Sequence, residues 1–167
     1  LGERVAGSEA QSQEVALLFP GQGVQRVGMG AALYREGGPY AAALRESAGA
    51  LSEALGLDVL KLVLEGDGTA LASTQAGQAA LFAVSYGLAR QWEAWGIKGS
   101  VLLGHSLGEY VAACLAGVFS LSDVARVVAA RGRLMEQARG GEMLAVALDE
   151  ATARGFCRDG VDLAAVN

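Results

Sequence analysis

A serine stands between two glycines in Gly104-His105-Ser106-Leu107-Gly108, one residue removed on either side. Ser100 to Leu103 before it is a short apolar run that reads as a strand, and EYVAACLAG after it is helical in composition. Strand, sharp turn and helix in that order set out a serine as an exposed nucleophile, because the turn imposes backbone angles that only small flanking residues tolerate. The helix that begins near Leu107 then directs its free N–H groups and positive dipole end at the charge developing on an attacked carbonyl. Ser106 is therefore the candidate nucleophile; the plainer alternative is a glycine-lined turn in which it only caps the helix. Serine needs a proton acceptor, normally a histidine reached through space, and the only histidine here is the adjacent His105. Neighbours on a tight turn point apart, so His105 reads as a wall of the site or a ligand contact rather than as the base.

The second signal is an arginine on an apolar stripe. A helix expected from its cap at Ser122 to about Ala138 carries Val124, Val127, Val128, Leu134, Met135 and Ala138 on one face, and Arg131 fills the slot between them. Arg126, Arg133 and Glu136 fall on the other side. An unpaired buried guanidinium is costly, so Arg131 requires an anion: an internal carboxylate, for which Glu109 is the candidate, or a substrate carboxylate held by a bidentate pair.

Other elements must hold these residues in place. Val15 to Phe19 reads as a buried strand stopped by Pro20 and Gly21, and the loop FPGQGVQRVGMG after it sets Gly21, Gly23, Gly28 and Gly30 around Gln22 and Gln25. Its backbone N–H groups can approach a ligand without Cβ obstruction. Arg26 occupies the place of the third glycine in a dinucleotide fingerprint, and the spacing fits no P-loop. Helices are expected from Pro39 to about Leu55, from Val59 to Leu64, and from Thr74 to Trp95 as a core helix. At the C-terminus, Met143 to Leu148, Asp149 to Cys157 and Val161 to Val166 read as strand, helix and strand.

The chain has 167 residues, 52% of them hydrophobic and 19% charged, enough for one domain with a sizeable core. Acidic residues outnumber basic ones 18 to 13, for a net charge of −5. Nucleic-acid binding needs the opposite balance, with clustered Lys and Arg. Cys114 and Cys157 fit no metal-ligand spacing, and one histidine cannot complete a zinc site with them; they read as reduced thiols of a cytoplasmic protein. No apolar run reaches the roughly 18 residues that span a bilayer, so neither export nor membrane insertion is expected.

Taken together, FPGQGVQ, STQAGQAALF, GHSLGEY and AARGRLM, in this order and spacing, resemble the malonyl-CoA:acyl-carrier-protein transacylases, and most of all the acyltransferase domain of a type I modular polyketide synthase. The resemblance runs from Val15 to Asn167. It implies an α/β fold: a hydrolase-like large subdomain over residues 15–141, and over 142–167 the first, β-α-β half of a ferredoxin-like small subdomain, with 1–14 as the end of an interdomain linker. It implies that Ser106 accepts the acyl group, that the backbone N–H groups of Gln22 and Leu107 form the oxyanion hole, that Arg131 clamps the malonyl carboxylate, and that Gln78 sits near the substrate. The chemistry would be ping-pong transfer without a bound cofactor or metal, from malonyl-CoA to the phosphopantetheine arm of an acyl carrier protein, beside a ketosynthase domain of the same synthase. In the family the catalytic histidine follows the small subdomain, and this sequence stops short of it. Leu107 resembles malonyl-selective members, whereas methylmalonyl-selective ones carry Gln there. A serine hydrolase or thioesterase, and a non-catalytic scaffold fragment, are the rival readings.

Overall fold

The computed structural model describes residues 14–138 and 140–166, so almost all of the expected linker lies outside the described residues. Two strands, β1 (Ala16–Phe19) and β2 (Val101–Gly104), pair in parallel, with Ala16 opposite Val101 and Phe19 opposite Gly104. Between them run α1 (Ala31–Glu36), α2 (Gly38–Leu55), α3 (Val59–Glu65), α4 (Gly68–Ala72) and α5 (Thr74–Ala94). After β2 come α6 (Leu107–Leu115), α7 (Leu121–Gln137) and α8 (Glu150–Arg154). The fold is α/β, with helices dominating the described residues.

The core lies among α2, α5 and α7. Tyr40, Leu44, Ala48 and Leu51 recur at three and four residues along α2 and are fully buried against Phe82 of α5 and Val124 and Val128 of α7. Helix α5 buries Ala76, Gly77, Ala79, Ala80, Ala83, Gly87 and Ala89, and this run of small residues lets neighbouring helices approach it from several sides. Tyr40 is seated where Gly87 leaves room for its ring and Gly30 for its hydroxyl. Burial pushes its phenol up to about 12.

Several expectations are corrected. The strands are not buried on both faces: Leu18, Val101 and Leu103 are exposed, because no described layer covers that side of the two-stranded sheet. The cap of α7 is Ser120, not Ser122. Ser120 Oγ accepts the Asp123 N–H at 3.1 Å and donates to the Asp123 carboxylate at 2.6 Å, a reciprocal arrangement that Ser122, one residue inside the helix, cannot make. Of the C-terminal β-α-β unit the helix forms, capped by Asp149, but 142–148 and 161–166 form no strand. A strand requires a neighbour's backbone, and among the described residues none pairs with either segment; Met143 and Leu144 stand exposed. Helices α1 and α4, six and five residues long, are too short to declare a period in sequence.

Candidate functional site

Parallel pairing places the ends of β1 and β2 side by side, so the Pro20-Gly21-Gln22 turn and the His105-Ser106 turn meet. The Phe19 carbonyl accepts the His105 N–H at 2.9 Å and fastens the two turns together. Ser106 adopts φ 52° and ψ −111°, one of two non-glycine residues with positive φ among those described. Strain of that kind amounts to about 1–3 kcal/mol and persists only where the surroundings enforce it. Here they do. A Cβ on Gly104 would run into the Gly108 carbonyl and the Glu109 N–H, and one on Gly108 into the Phe19 backbone. Both glycines flanking the serine are required by close backbone approach. Gly108→Ala is accordingly expected to lower stability by about 3 kcal/mol, the upper end of overpacking losses, despite alanine's better helix propensity. A urea midpoint unchanged from wild type would contradict the tight elbow.

Ser106 precedes the first residue of α6 yet makes no capping bond with its side chain. Its hydroxyl faces α7 instead, where Arg131 Nη2 donates to Ser106 Oγ at 2.7 Å. The guanidinium lies over the Tyr110 ring, 5.8 Å from its centroid. Arg131 Nη1 is buried with no partner among the described residues. Glu109, the candidate internal partner, is exposed and forms no ion pair with Arg131, because the first turn of α6 carries it outward while Tyr110 turns toward the arginine. Arg131 is half-buried rather than fully inside: α7 buries Val124, Ala125, Val128, Ala129 and Gly132, whereas Val127, Leu134, Met135 and Ala138 of the expected stripe are exposed.

The N–H groups of Gln22 and Leu107 donate to no acceptor among the described residues, which leaves both available beside Ser106. A Cβ on Gly21 would lie 2.7 Å from His105 Nδ1 and 3.3 Å from Ser106 Cβ, so the backbone leading to Gln22 presses directly on the elbow. His105 packs against that backbone, as a wall would. Gln78 is fully buried on α5; its Nε2 donates to Gln22 Oε1 at 3.0 Å and to Met135 Sδ at 3.4 Å, and its Oε1 has no partner among the described residues. Gln25 fixes the same loop, accepting the Gly23 N–H at 2.7 Å and donating to the Leu71 carbonyl at 3.3 Å. All six residues singled out in sequence, Gln22, Gln78, His105, Ser106, Leu107 and Arg131, thus belong to one connected region.

Sequence reasoning missed Tyr110 and placed Glu136 on an unremarkable face. Tyr110 sits one helical turn after Ser106, and that spacing was its available signal. Glu136 accepts from Ser73 Oγ at 2.6 Å and from the Gln75 N–H at 2.9 Å, joining α7 to the first turn of α5. The Gln75 N–H, and then the Ser73 hydroxyl, hold its carboxyl below the usual carboxylate range. A group lowered on folding contributes stability at neutral pH that is lost as pH falls through the folded value, so this junction weakens only in acid.

Among the described residues no three His, Cys, Asp or Glu side chains gather to hold a metal ion, and no helix is long and apolar enough to cross a membrane. Residues 16–167 match the family described as acyl transferase domain. The mycoketide-CoA synthase of Mycobacterium tuberculosis is 42% identical over 168 aligned positions, which cover 99% of this chain and 4% of that protein. The spectinabilin polyketide synthase system protein NorB of Streptomyces orinoci is 45% identical over 161 residues, 92% of this chain and 7% of that protein. Among solved structures, the acyltransferase domain from the second module of the salinomycin polyketide synthase aligns with a TM-score of 0.69 at 43% identity, covering 74% of this chain and 28% of that one. A malonyl-transacylase in complex with its type II polyketide synthase acyl-carrier protein aligns at 0.68 with 38% identity, covering 77% and 40%. The chain therefore spans less than a tenth of these curated relatives and well under half of these solved chains. The family match runs through every residue that builds the site, and on it the chain belongs to the acyl transferase domain family.

Proposed function

We propose that this chain supplies the nucleophile and the carboxylate-binding half of an acyltransferase that moves a malonyl-type group from coenzyme A to an acyl carrier protein, within a cytoplasmic polyketide synthase and beside its ketosynthase. One observation carries the reading: an arginine that touches the nucleophilic hydroxyl through Nη2 keeps Nη1 buried and unpartnered among the described residues. A guanidinium so placed is matched to an acyl group bearing its own carboxylate, because a plain acyl chain would leave the charge unanswered.

In the first half-reaction Ser106 Oγ bonds to the thioester carbonyl carbon, the carbon–sulfur bond breaks, and the coenzyme A thiolate takes up the proton. The N–H groups of Gln22 and Leu107 face the developing oxyanion at the start of α6, where the helix dipole adds to them. Arg131 holds the distal carboxylate and so turns the thioester carbonyl toward the serine. The second half-reaction repeats this with the phosphopantetheine thiol as acceptor, which the malonyl-transacylase found with its acyl-carrier protein supports by analogy. Arg131 is a donor and cannot take the serine proton. The base is therefore a group other than those facing Ser106 among the described residues.

The test is intact mass after incubation of the full acyltransferase with malonyl-CoA, followed by peptide mapping. A gain of one malonyl group on the peptide holding Ser106, stable until a carrier protein is added, is expected. No gain would overturn the proposal, and rapid loss to water without carrier would favour a thioesterase.

A further inference from the structure

Arg131 can select a carboxylate only if α7 holds it at one height above Ser106, and a contact that fixes this end of α7 lies just beyond it. Glu136 is exposed, yet its carboxylate takes two hydrogen bonds from the beginning of a different helix, from Ser73 Oγ at 2.6 Å and Gln75 N–H at 2.9 Å. It thereby satisfies a backbone donor at the N-terminus of α5 that has no partner within its own helix, and it places a negative charge at the positive end of that helix. The same stretch of α7 meets α5 at further points. Gly132 lies against Gln75, where a Cβ would come within 2.8 Å of the Gln75 Cα, and Met135 Sδ receives the Gln78 amide at 3.4 Å. Of these contacts only the Glu136 pair is short and charge-assisted, and it adds a directional tie to the burial of Val124, Val128 and Gly132 that seats α7. From Glu136 back to Arg131 is roughly 7.5 Å of helix rise, too short for a regular helix to absorb a shift at one end without passing it to the other.

We infer that Glu136 is a positioning residue for selectivity: by fastening α7 to the first turn of α5 it sets Arg131 against Ser106. This rests on the reading of Arg131 as the carboxylate clamp. The consequence is that loss of the Glu136 contacts degrades discrimination more than it degrades the nucleophile, because the elbow is built from β1, β2 and α6 and does not depend on the junction of α5 with α7.

In the full acyltransferase, Glu136→Ala is expected to lower the ratio of malonyl to acetyl kcat/KM about tenfold, mainly through a higher KM for malonyl-CoA, while labelling of Ser106 by an uncharged fluorophosphonate keeps its wild-type rate. Glu136→Gln preserves shape and one acceptor oxygen and should restore most of the ratio, with a residual loss of about threefold; it also serves where the alanine variant does not fold. In an Arg131→Ala background the Glu136 substitutions should leave the ratio where Arg131→Ala alone put it, since residues acting through one another are not additive. An unchanged ratio in both Glu136 variants, or the same further drop in the Arg131→Ala background, would overturn the assignment. A wild-type enzyme that takes no malonyl group at all would instead sink the acyltransfer reading on which it stands.

Discussion

Ser106→Ala is expected to abolish the acyl-enzyme and to reduce carrier acylation by roughly 10⁴-fold or more, the scale on which enzymes lose rate with their nucleophile. Among the described residues Ser106 is the only serine at an elbow, and Cys114 is half-buried on α6, where burial raises its thiol and keeps it protonated. The variant should nevertheless fold as well as wild type. The Ser106 side chain makes no cap bond to α6, its strained φ of 52° is as unfavourable for alanine as for serine, and its one hydrogen bond is to a half-buried guanidinium. The expected change in unfolding free energy is within about 0.5 kcal/mol. Ser106→Gly, which tolerates positive φ, should be more stable than wild type by about 1 kcal/mol. Urea denaturation read beside intact-mass acylation separates the two effects. A Ser106→Ala protein that still acquires one acyl group would remove Ser106 from the chemistry.

Arg131→Ala is expected to cut kcat/KM for malonyl-CoA about 100-fold while leaving acetyl transfer near its starting value, so that the preference between them collapses. The size follows from a hydrogen-bonded charge pair, about 1.5–3 kcal/mol, with a tenfold change for each 1.4 kcal/mol. Lysine should recover only part of it. An ammonium can reach a carboxylate as a point charge but cannot bond the serine hydroxyl and a second anion through two coplanar nitrogens. Stability is expected to be unchanged or slightly improved, because Nη1 is buried with nothing to bond among the described residues and its removal relieves an unsatisfied donor. Competition between malonyl-CoA and acetyl-CoA, read by mass on the carrier protein, measures the ratio directly. Retained malonyl preference would show that the carboxylate is bound elsewhere.

The chemistry-bearing residues were legible to different degrees, and the differences have physical causes. The elbow was plain because a local geometric demand, the approach of Gly104 and Gly108 to the backbone around them, is written within five consecutive residues. Arg131 was legible through helical periodicity, since Val124 and Val128 place it one turn on along the same face. The same period misjudged Leu134 and Met135, because burial ends where α5 begins and no local pattern marks that point. Glu136 resembled an ordinary surface acid, for its partners lie 61 and 63 positions away and only tertiary packing brings them to it. Ser120 lost to Ser122 because both are good caps, and the choice turned on which of them reaches Asp123 with the correct offset. The strands expected over 143–148 and 161–166 have suitable side chains, yet a strand is a relation between segments and composition does not supply the neighbour.

The parallel ladder that joins β1 to β2 also sets when during folding a site can exist. It closes a loop between residues 85 positions apart, as in the bond from Ser100 Oγ to the Val15 carbonyl, at a chain-entropy cost of roughly 4 kcal/mol. Four residue pairs in a two-stranded sheet do not repay that alone, so the ladder is expected to close only once α2 and α5 have condensed between its ends. One of the proposed oxyanion donors, Gln22, follows the end of one strand, and the proposed nucleophile Ser106 with the other donor, Leu107, follows the end of its partner. Neither half is assembled in a partly folded chain, so the complete elbow region is expected to be a late product of folding.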